Sequence, residues 1–316
     1  MNDKLYADSS WCGTFQLVWN DMKNELVKKD IVFSPQIDMV RNLNKEDFNQ
    51  TMISEDYYYK KYGKKTLKLK EEIENGIKEK FNQESDVLKY ISWNDYYSDE
   101  YLFYTMLYRK FEFLQQFDKL ENDKFGNAYE NIQYFGIDKN TKKSVGEQIS
   151  VLYYNSKEDF AVLVNTKTDD EVIFCKNPKE KNFNEIYKNM NNKANKYTGS
   201  KSFEDIDEFK APKLKIDILR NYEELKGKEF ETVNKDIVRI NKAIQTIKFT
   251  LDENGGEIKS EAVIYAYTTS VGDFIKENPR YFYLDDTFAI FLKEKDKDKP
   301  YFAARIDDIT KFQKND

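Results

Sequence analysis

The chain has 316 residues, enough for one large domain or two smaller ones, and with 40% hydrophobic and 16% aromatic residues it has the composition of a folded protein. Lys and Arg number 51 against 57 Asp and Glu, and a net charge of −6 without a basic half argues against a general nucleic-acid binder. The chain has no histidine, which excludes Ser-His and Cys-His nucleophile systems and His-containing metal sites, and it has no Walker or G-x-G-x-x-G loop.

The first part of the chain predicts a helix, a short strand and a second helix. Apolar residues recur at helical spacing through "FQLVWNDMKNEL", which predicts a helix over 13–27 with Trp19 in the core. The run "DIVFSP" predicts a short buried strand that contains Phe33. Ser34 and Pro35 suit the N-cap and the first position of a helix over "SPQIDMVRNLN".

The next segment predicts a helix followed by a long strand. "LKLKEEIENGIKEKF" predicts a helix within 70–90. "DEYLFYTMLYRKFEFLQQF" predicts a strand over 99–117, apolar nearly throughout as a strand covered on both faces is, with a helix as the alternative because Leu, Met and Gln are good helix formers. The basic cluster at 60–70, "KKYGKKTLKLK", is expected to be a solvated surface, with a polyanion site as the alternative.

Strands dominate the second half. "NIQYFGID", "EQISVLYY", "DFAVLVNT" and "EVIFCK" predict consecutive strands, and "FNEIYKNMNNKANKY" predicts a helix. "DEFKAPKLKIDIL" is expected to be extended, "NYEELKGKEF" to be a short helix ended by Gly227, and "RYFYLDDTFAIFLKEKDKDKPYFAARIDDI" to be a closing hairpin. No linker or repeat divides the sequence, so we expect one α+β domain over 1–316, with 1–12 a disordered N-terminal extension.

The stretch "LDENGGEIKSEAVIYAYTT", 251–269, has the period-two pattern of a strand with one buried face. Glu257, Lys259 and Glu261 begin the opposite, outward register. Asn254-Gly255 is a strong signal for a tight turn. A permanent strand and a loop that inserts conditionally share this pattern. The inward register is small or apolar: Gly256, Ile258, Ser260, Ala262, Ile264, Ala266, Thr268.

The order of these segments resembles the serpin family. "DIVFSPQIDMV" resembles the family's strand into helix B, "KLKEEIENGIKEKFNQESDVLKYI" its helix F, and "LFYTMLYRKFEFLQQFDK" the central strand of sheet A. "EFKAPKLKIDILRNYEELKGK" is similar to the V-P-K-F-K-I segment, "IQTIKFTLDENGGE" to the strand that enters the hinge, and "LDDTFAIFLKEKDKDKPYFAARIDD" to the closing hairpin. The resemblance implies an α+β, single-domain serpin-like fold with mixed or antiparallel sheets and peripheral helices.

The sequence departs from the family pattern at several places. Between Asn42 and Leu67 there are too few residues for helices C, D and E and the edge strands of sheet A, so the resemblance implies a fold trimmed in its N-terminal third. The positions of the family's shutter Asn and His fall near Tyr104 and at Gln245, and Ala304 replaces the glycine of the closing motif. The hinge lacks the family's run of alanines.

The resemblance also implies a function and its residues. In an inhibitory serpin a protease cuts an exposed loop, is held by an acyl bond, and is distorted when the loop inserts into sheet A. Counting by the family's spacing places the scissile bond near Thr269-Ser270, which would suit elastase- or subtilisin-like proteases. The hinge and reactive-loop candidates are Glu253, Gly255, Gly256, Ile258, Ser260, Ala262, Thr269 and Ser270.

Two functions remain open for a serpin-like protein. The leading hypothesis is that 253–270 is already a strand, so that the protein is a non-inhibitory binding or structural protein. The alternative is an active inhibitor of a serine or cysteine protease. A carboxylate enzyme is a third possibility, with three acidic pairs as weak candidates: Asp169-Asp170, Asp285-Asp286 and Asp307-Asp308.

The remaining expectations concern partners and location. No catalytic residue, metal or cofactor is expected, the partner is expected to be a protease or another protein, and the protein is expected to be a monomer. The sequence has no run of 18 apolar residues, so no membrane span is expected. No signal peptide is recognisable, although the resemblance favours a secreted or cell-surface bacterial protein. Cys12 and Cys175 could form one bridge, but free thiols are expected because each lies in an apolar context.

Overall fold

A computed structural model describes residues 1–93, 100–258 and 279–313 of the protein. None of the described helices is long and apolar enough to cross a membrane. The α-helices are α1 (Thr14–Asp21), which continues as a π-helix over Met22–Val27, α2 (Asp38–Leu43), α3 (Leu67–Phe81) and α4 (Phe183–Lys196). Short 3₁₀ helices cover Gln50–Met52, Glu55–Tyr57, Leu88–Tyr90, Lys143–Gln148 and Ile309–Lys311.

Strands make up the rest of the regular secondary structure among the described residues. The strands are β1 (Ser10–Cys12), β2 (Tyr58–Lys64), β3 (Tyr101–Leu107), β4 (Arg109–Glu112), β5 (Asp118–Lys119), β6 (Asp123–Phe125), β7 (Tyr129–Ile132), β8 (Tyr134–Ile137), β9 (Ile149–Ser156), β10 (Asp159–Asn165), β11 (Asp170–Lys176), β12 (Glu208–Pro212), β13 (Leu214–Asn221), β14 (Glu229–Glu231), β15 (Ile237–Arg239), β16 (Ile244–Asp252), β17 (Gly255–Ile258), β18 (Tyr281–Tyr283), β19 (Phe288–Glu294) and β20 (Phe302–Ile306).

Three larger sheets organise these strands. The back sheet has the order β1-β20-β19-β11-β10-β9, and a smaller sheet has the order β18-β12-β8-β5. The front sheet has the order β13-β16-β17-β4, and the β2-β3 ladder is joined to it because only Tyr108 separates β3 from β4. The largest hydrophobic cluster contains Phe249 of the front sheet, Phe174 of the back sheet and Phe209 of the smaller sheet, so the core lies between the three.

Several helix predictions are confirmed. The helix expected over 13–27 is α1 with its π-helical continuation, and α4 matches the helix expected near 183–197. Trp19 and Phe33 are both buried, in one cluster with Leu225 and Phe230, as their apolar contexts predict.

The helix expected within 70–90 is shifted towards the N-terminus. It starts at Leu67, because the Thr66 side chain accepts a hydrogen bond from the Leu69 amide and caps it. It ends at Phe81, because Asn82 adopts a left-handed backbone with φ 52°. The strand expected over 99–117 is confirmed over 101–112, as β3 and β4 with Tyr108 between them, and its helical alternative is wrong there. Residues 114–117 are not part of a strand.

Two local predictions are wrong for identifiable reasons. "DIVFSP" is not a strand, because the Gln36 side chain accepts a hydrogen bond from the Phe33 amide and donates one to the Ile31 carbonyl, which removes those groups from any strand ladder. α2 therefore begins only at Asp38, with Ile37 and not Ser34 at its N-cap.

"NYEELKGKEF" forms successive turns and no helix. The amide of Gly227 donates to the carbonyl of Ile240, which is in a different segment, and not to a carbonyl one helical turn earlier.

The first residues and the region before α3 also differ from expectation. Residues 1–12 are not a disordered extension, because β1 pairs with β20 and the Leu5 amide donates to the Lys181 carbonyl at 2.8 Å. The residues between α2 and α3 form two 3₁₀ helices and the strand β2. The expectation that this region lacks an edge strand is therefore wrong.

Candidate functional site

The candidate site is the place where the hinge segment enters the front sheet. β17 is antiparallel to β16 on one side and to β4 on the other. Its last residue, Ile258, faces Phe249 of β16 and Arg109 of β4. Ile258 is buried, while Glu257 is half-buried and its carboxylate lies 3.2 Å from the Lys110 ammonium. At Glu257 and Ile258 the predicted strand therefore shows the expected alternation of outward and inward side chains, and the strand is paired along both of its edges.

The turn before β17 is displaced by one residue from the expected corner. Because Asp252 pairs with Gly255, the turn residues are Glu253 and Asn254 and not Asn254 and Gly255. The Asp252 carboxylate accepts a hydrogen bond from the Asn254 amide at 2.8 Å, which is a side-chain-supported turn. The Asn254 carbonyl accepts a hydrogen bond from the Phe113 amide at 2.9 Å, and the Glu253 carbonyl accepts one from the Phe117 amide at 3.0 Å.

Glycine is required at both positions where β17 passes between its neighbours. Gly255 has φ 148°, and a Cβ added to it would lie 2.2 Å from the Phe111 carbonyl oxygen. A Cβ on Gly256 would lie 2.5 Å from the Thr250 carbonyl oxygen. Both obstacles are backbone atoms, which cannot move aside without disturbing the sheet.

Glu253 anchors the turn through two lysines. Its carboxylate is buried and lies 2.6 Å from the Lys213 ammonium and 3.2 Å from the Lys119 ammonium. Burial opposes ionisation of Glu253, but the nearby Lys213 ammonium, a backbone amide and the Lys119 ammonium outweigh it and lower the pKa of the carboxyl. The ionised Glu253 therefore ties the turn before β17 to β5 and to the residue that precedes β13.

A buried ionic cluster lies beneath the last described residue of β17. Arg109 is fully buried, and its guanidinium donates to Asp170 at 2.6 Å and to Glu294 at 2.5 Å. Tyr301 donates to the other oxygen of Asp170, and the Arg109 guanidinium lies 3.9 Å from the centre of the Tyr57 ring. Burial raises the pKa of Asp170, although the Arg109 charge opposes this. The cluster fixes β4, the register partner of β17, to the back sheet.

A cleft of about 1560 Å³ continues from Ile258 between β3 and β16. All residues of β3 line one wall, and residues 244–248 of β16 line another. Within the described ranges no ladder joins these two strands, so their facing edges have no strand partner there. The hydroxyl oxygen of Thr105, on β3, is buried and has no hydrogen-bond partner among the described residues. This is the geometry of a position that could accept a strand.

The two residues at the family's shutter positions both line this cleft. Tyr104 is buried on β3, and its hydroxyl donates to the Ser85 hydroxyl at 3.3 Å. Gln245, on β16, donates to the Thr14 hydroxyl at 2.8 Å and accepts from the Tyr222 hydroxyl at 2.8 Å. Gln245 thus joins the N-terminal end of β16 to the start of α1.

The acidic pairs considered for catalysis are partners of buried or half-buried cations. Asp170 belongs to the Arg109 cluster, Asp285 accepts from the Lys176 ammonium at 2.6 Å, and Asp307 accepts from the Arg305 guanidinium at 2.9 Å. These contacts are those of structural ion pairs.

The basic cluster at 60–70 is largely neutralised by nearby carboxylates. Lys60 pairs with Asp21 at 2.8 Å, and Lys61 pairs with Glu72 at 2.9 Å. Lys65 pairs with Glu100. Such pairing favours the solvated surface over a polyanion site.

The hinge candidates divide between described and undescribed parts of the protein. Glu253, Gly255, Gly256 and Ile258 come together in the turn and β17. Ser260, Ala262, Thr269 and Ser270 lie outside the described residues. Arg109 carries no motif in the sequence; the only available signal is a charged residue within the otherwise apolar run "MLYRKFEF".

Comparison with known proteins identifies the fold. No protein-family model and no curated protein sequence matches the chain. The structure is similar to that of Serpin48, described as a highly specific serpin in the insect Tenebrio molitor, at 10% identity and a TM-score of 0.50, over 96% of this chain and 92% of that one. It is also similar to thyroxine-binding globulin in complex with thyroxine, at 11% identity and a TM-score of 0.52, over 95% and 92% of the two proteins. The protein therefore has an α+β, serpin-like fold.

Proposed function

We propose that this is a single-domain, non-enzymatic serpin-like protein in which the strand begun by β17 continues through the cleft. Such a protein binds or scaffolds another protein and does not trap a protease. The observation that carries the proposal is the pairing of β17 along both of its edges, with β16 and with β4. A hinge segment that is already part of the sheet has left the exposed state from which loop insertion starts.

The register of β17 supports its continuation. Extended by two residues, the same pairing would set Ser260 opposite Ile247 and Leu107, and by four residues it would set Ala262 opposite Gln245 and Thr105. Small side chains in this inward register suit a strand that closes over a core. Residues beyond Ile258 are outside the described ranges, so this step rests on register and sequence.

The facing edges of β3 and β16 supply the driving force. Backbone amides and carbonyls that line a cleft without partners cost free energy, and a further strand would satisfy both rows. In a form with the hinge outside the sheet, β3 and β16 would be expected to pair directly with each other. Their separation by the cleft favours the form with a strand in place.

The alternative function is protease inhibition by insertion of the loop after cleavage near Thr269-Ser270. This function would use the same cleft as the acceptor of the loop, which would fill it only after cleavage. The two similar structures represent both behaviours, since one is described as a specific serpin and the other is a globulin bound to thyroxine.

A covalent-complex assay tests the proposal. The protein is incubated with a panel of serine and cysteine proteases and examined on denaturing gels for an SDS-resistant complex. We expect intact or simply cleaved protein without a complex. A stable complex with any protease, retained after denaturation, would establish the inhibitor instead.

A pair of charge substitutions separates the two functions further. Ala262→Arg places a charge in the inward register, and Glu261→Arg places it in the outward register of the same segment. If the strand is in place, Ala262→Arg lowers the thermal midpoint of the intact protein, because a buried unpaired charge is costly, while Glu261→Arg changes it little. An unchanged midpoint for a folded Ala262→Arg protein would mean that the segment lies outside the sheet.

A further inference from the structure

The sequence has two Asn-Gly dipeptides in very different surroundings. Asn75-Gly76 lies inside α3, and a Cβ on Gly76 would lie 2.4 Å from the Tyr59 ring. Asn254-Gly255 lies where the turn meets β17, and both asparagines are exposed. A glycine after asparagine leaves the next backbone nitrogen unshielded by a side chain, which is the usual reason for chemical lability of asparagine.

We propose that Asn254 is a site of spontaneous deamidation and that its product weakens the pairing of β17. The Gly255 backbone nitrogen attacks the carboxamide carbon (Cγ) of Asn254, and a new N–C bond closes a five-membered succinimide while the Cγ–Nδ2 bond breaks. The Gly255 amide proton and the NH₂ group leave as ammonia. Water then opens the ring at either carbonyl, which yields aspartate or isoaspartate, and no oxidant or reductant is needed.

The described turn restrains this reaction. The Asn254 side-chain amide donates to Asp252 at 3.2 Å, its backbone carbonyl accepts from Phe113 at 2.9 Å, and Gly255 is paired on both sides. Ring closure requires the Asn254 side chain to turn towards the Gly255 nitrogen, which means releasing these contacts. The reaction rate at Asn254 therefore reports how often the turn opens, a low-energy local event compared with unfolding of α3.

Both products disturb the same pairing. Isoaspartate inserts an extra methylene into the backbone between residues 254 and 255, which displaces the Asp252–Gly255 pair much as a bulge does. Aspartate removes the amide that donates to Asp252 and sets a second carboxylate beside it. This consequence rests only on the described contacts and not on the proposed function.

The test uses the full-length protein and both dipeptides. The folded protein is incubated in mildly alkaline buffer, and peptide mapping by mass spectrometry follows conversion at Asn254 and Asn75 in the same sample. We expect at least several-fold faster conversion at Asn254, and similar rates at the two sites in denaturant. Equal rates in the folded protein, or conversion at Asn75 alone, would overturn the assignment of the site.

Hydrogen exchange tests the consequence. The deamidated fraction and the Asn254→Asp variant are compared with the unmodified protein and with Asn75→Asp as the matched control. We expect faster exchange of the 256–258 amides in the first two samples and unchanged exchange in the control. Unchanged exchange of these amides in the deamidated protein would refute the effect on β17, even if the variant failed to fold.

Discussion

The two glycines of β17 are the residues on which the position of the hinge depends most directly. At Gly255 and Gly256 the neighbouring strands come so close that any side chain would meet carbonyl oxygens of β4 or β16. The sequence motif of consecutive glycines after Asn254 is therefore a packing requirement in addition to a turn signal.

Gly255→Ala should destabilise the protein more than the same substitution does at another glycine with positive φ. Gly227, with φ 75° and no atom within 4 Å of an added Cβ, is the matched control. Gly227→Ala should cost roughly 1–2 kcal/mol from backbone strain, and Gly255→Ala should cost about 1–3 kcal/mol more because of the clash with backbone atoms. Urea unfolding measures both, and equal losses would show that β17 is not held between its neighbours.

The two cysteines are free and buried in different hydrophobic clusters. Burial raises the pKa of Cys12, and burial raises that of Cys175 to about 12. We expect two thiols by titration under denaturing, non-reducing conditions, and very slow reaction of both in the native protein because the thiolate is scarce. A count of zero would demonstrate a bridge.

At the scale of elements, the turn between β16 and β17 should make stability depend on acid. The pKa of Glu253 is lowered from its ordinary 4.5, so its stabilising contribution is present above that pH and is lost as the pH falls through the lower, folded value. Glu253→Gln should be less stable than the natural protein at neutral pH and should lose less stability on acidification.

The matched control for this prediction lies on the same hairpin. Glu257→Gln removes a half-exposed pair with Lys110 and should cost less than about 1 kcal/mol at any pH. Denaturant titrations at several pH values compare the three proteins. Parallel acid profiles for the natural protein and Glu253→Gln would contradict the anchoring role of Glu253.

Strands were predictable from sequence where burial alone decides them. β9, β10 and β11 have the apolar content that a covered sheet requires, and the predictions there are confirmed. Predictions fail where one side chain redirects the backbone, as Gln36 does before α2 and as Asp252 does at the turn. Such contacts depend on local geometry that propensity does not encode.

At the scale of the whole molecule, the order of motifs was enough to identify the serpin-like fold at 10–11% identity. Each motif reflects which faces of a helix or strand are buried. The order of the motifs along the chain is therefore kept when individual residues change. The Arg109 cluster was not predictable, because Arg109 is 61 residues from Asp170 and 185 from Glu294 in the sequence. No spacing rule reveals a contact that forms only on folding.

The central claim is that the strand begun by β17 continues through the front sheet in the protein as isolated. Limited proteolysis with mass mapping, followed by thermal unfolding of the cut product, tests it most directly. We predict resistance across 256–268, cuts confined to 270–279, and almost no change in melting temperature after cleavage. Rapid cutting between Ile264 and Ser270, followed by a large rise in melting temperature, would show a loop that inserts only after cleavage and would contradict the account.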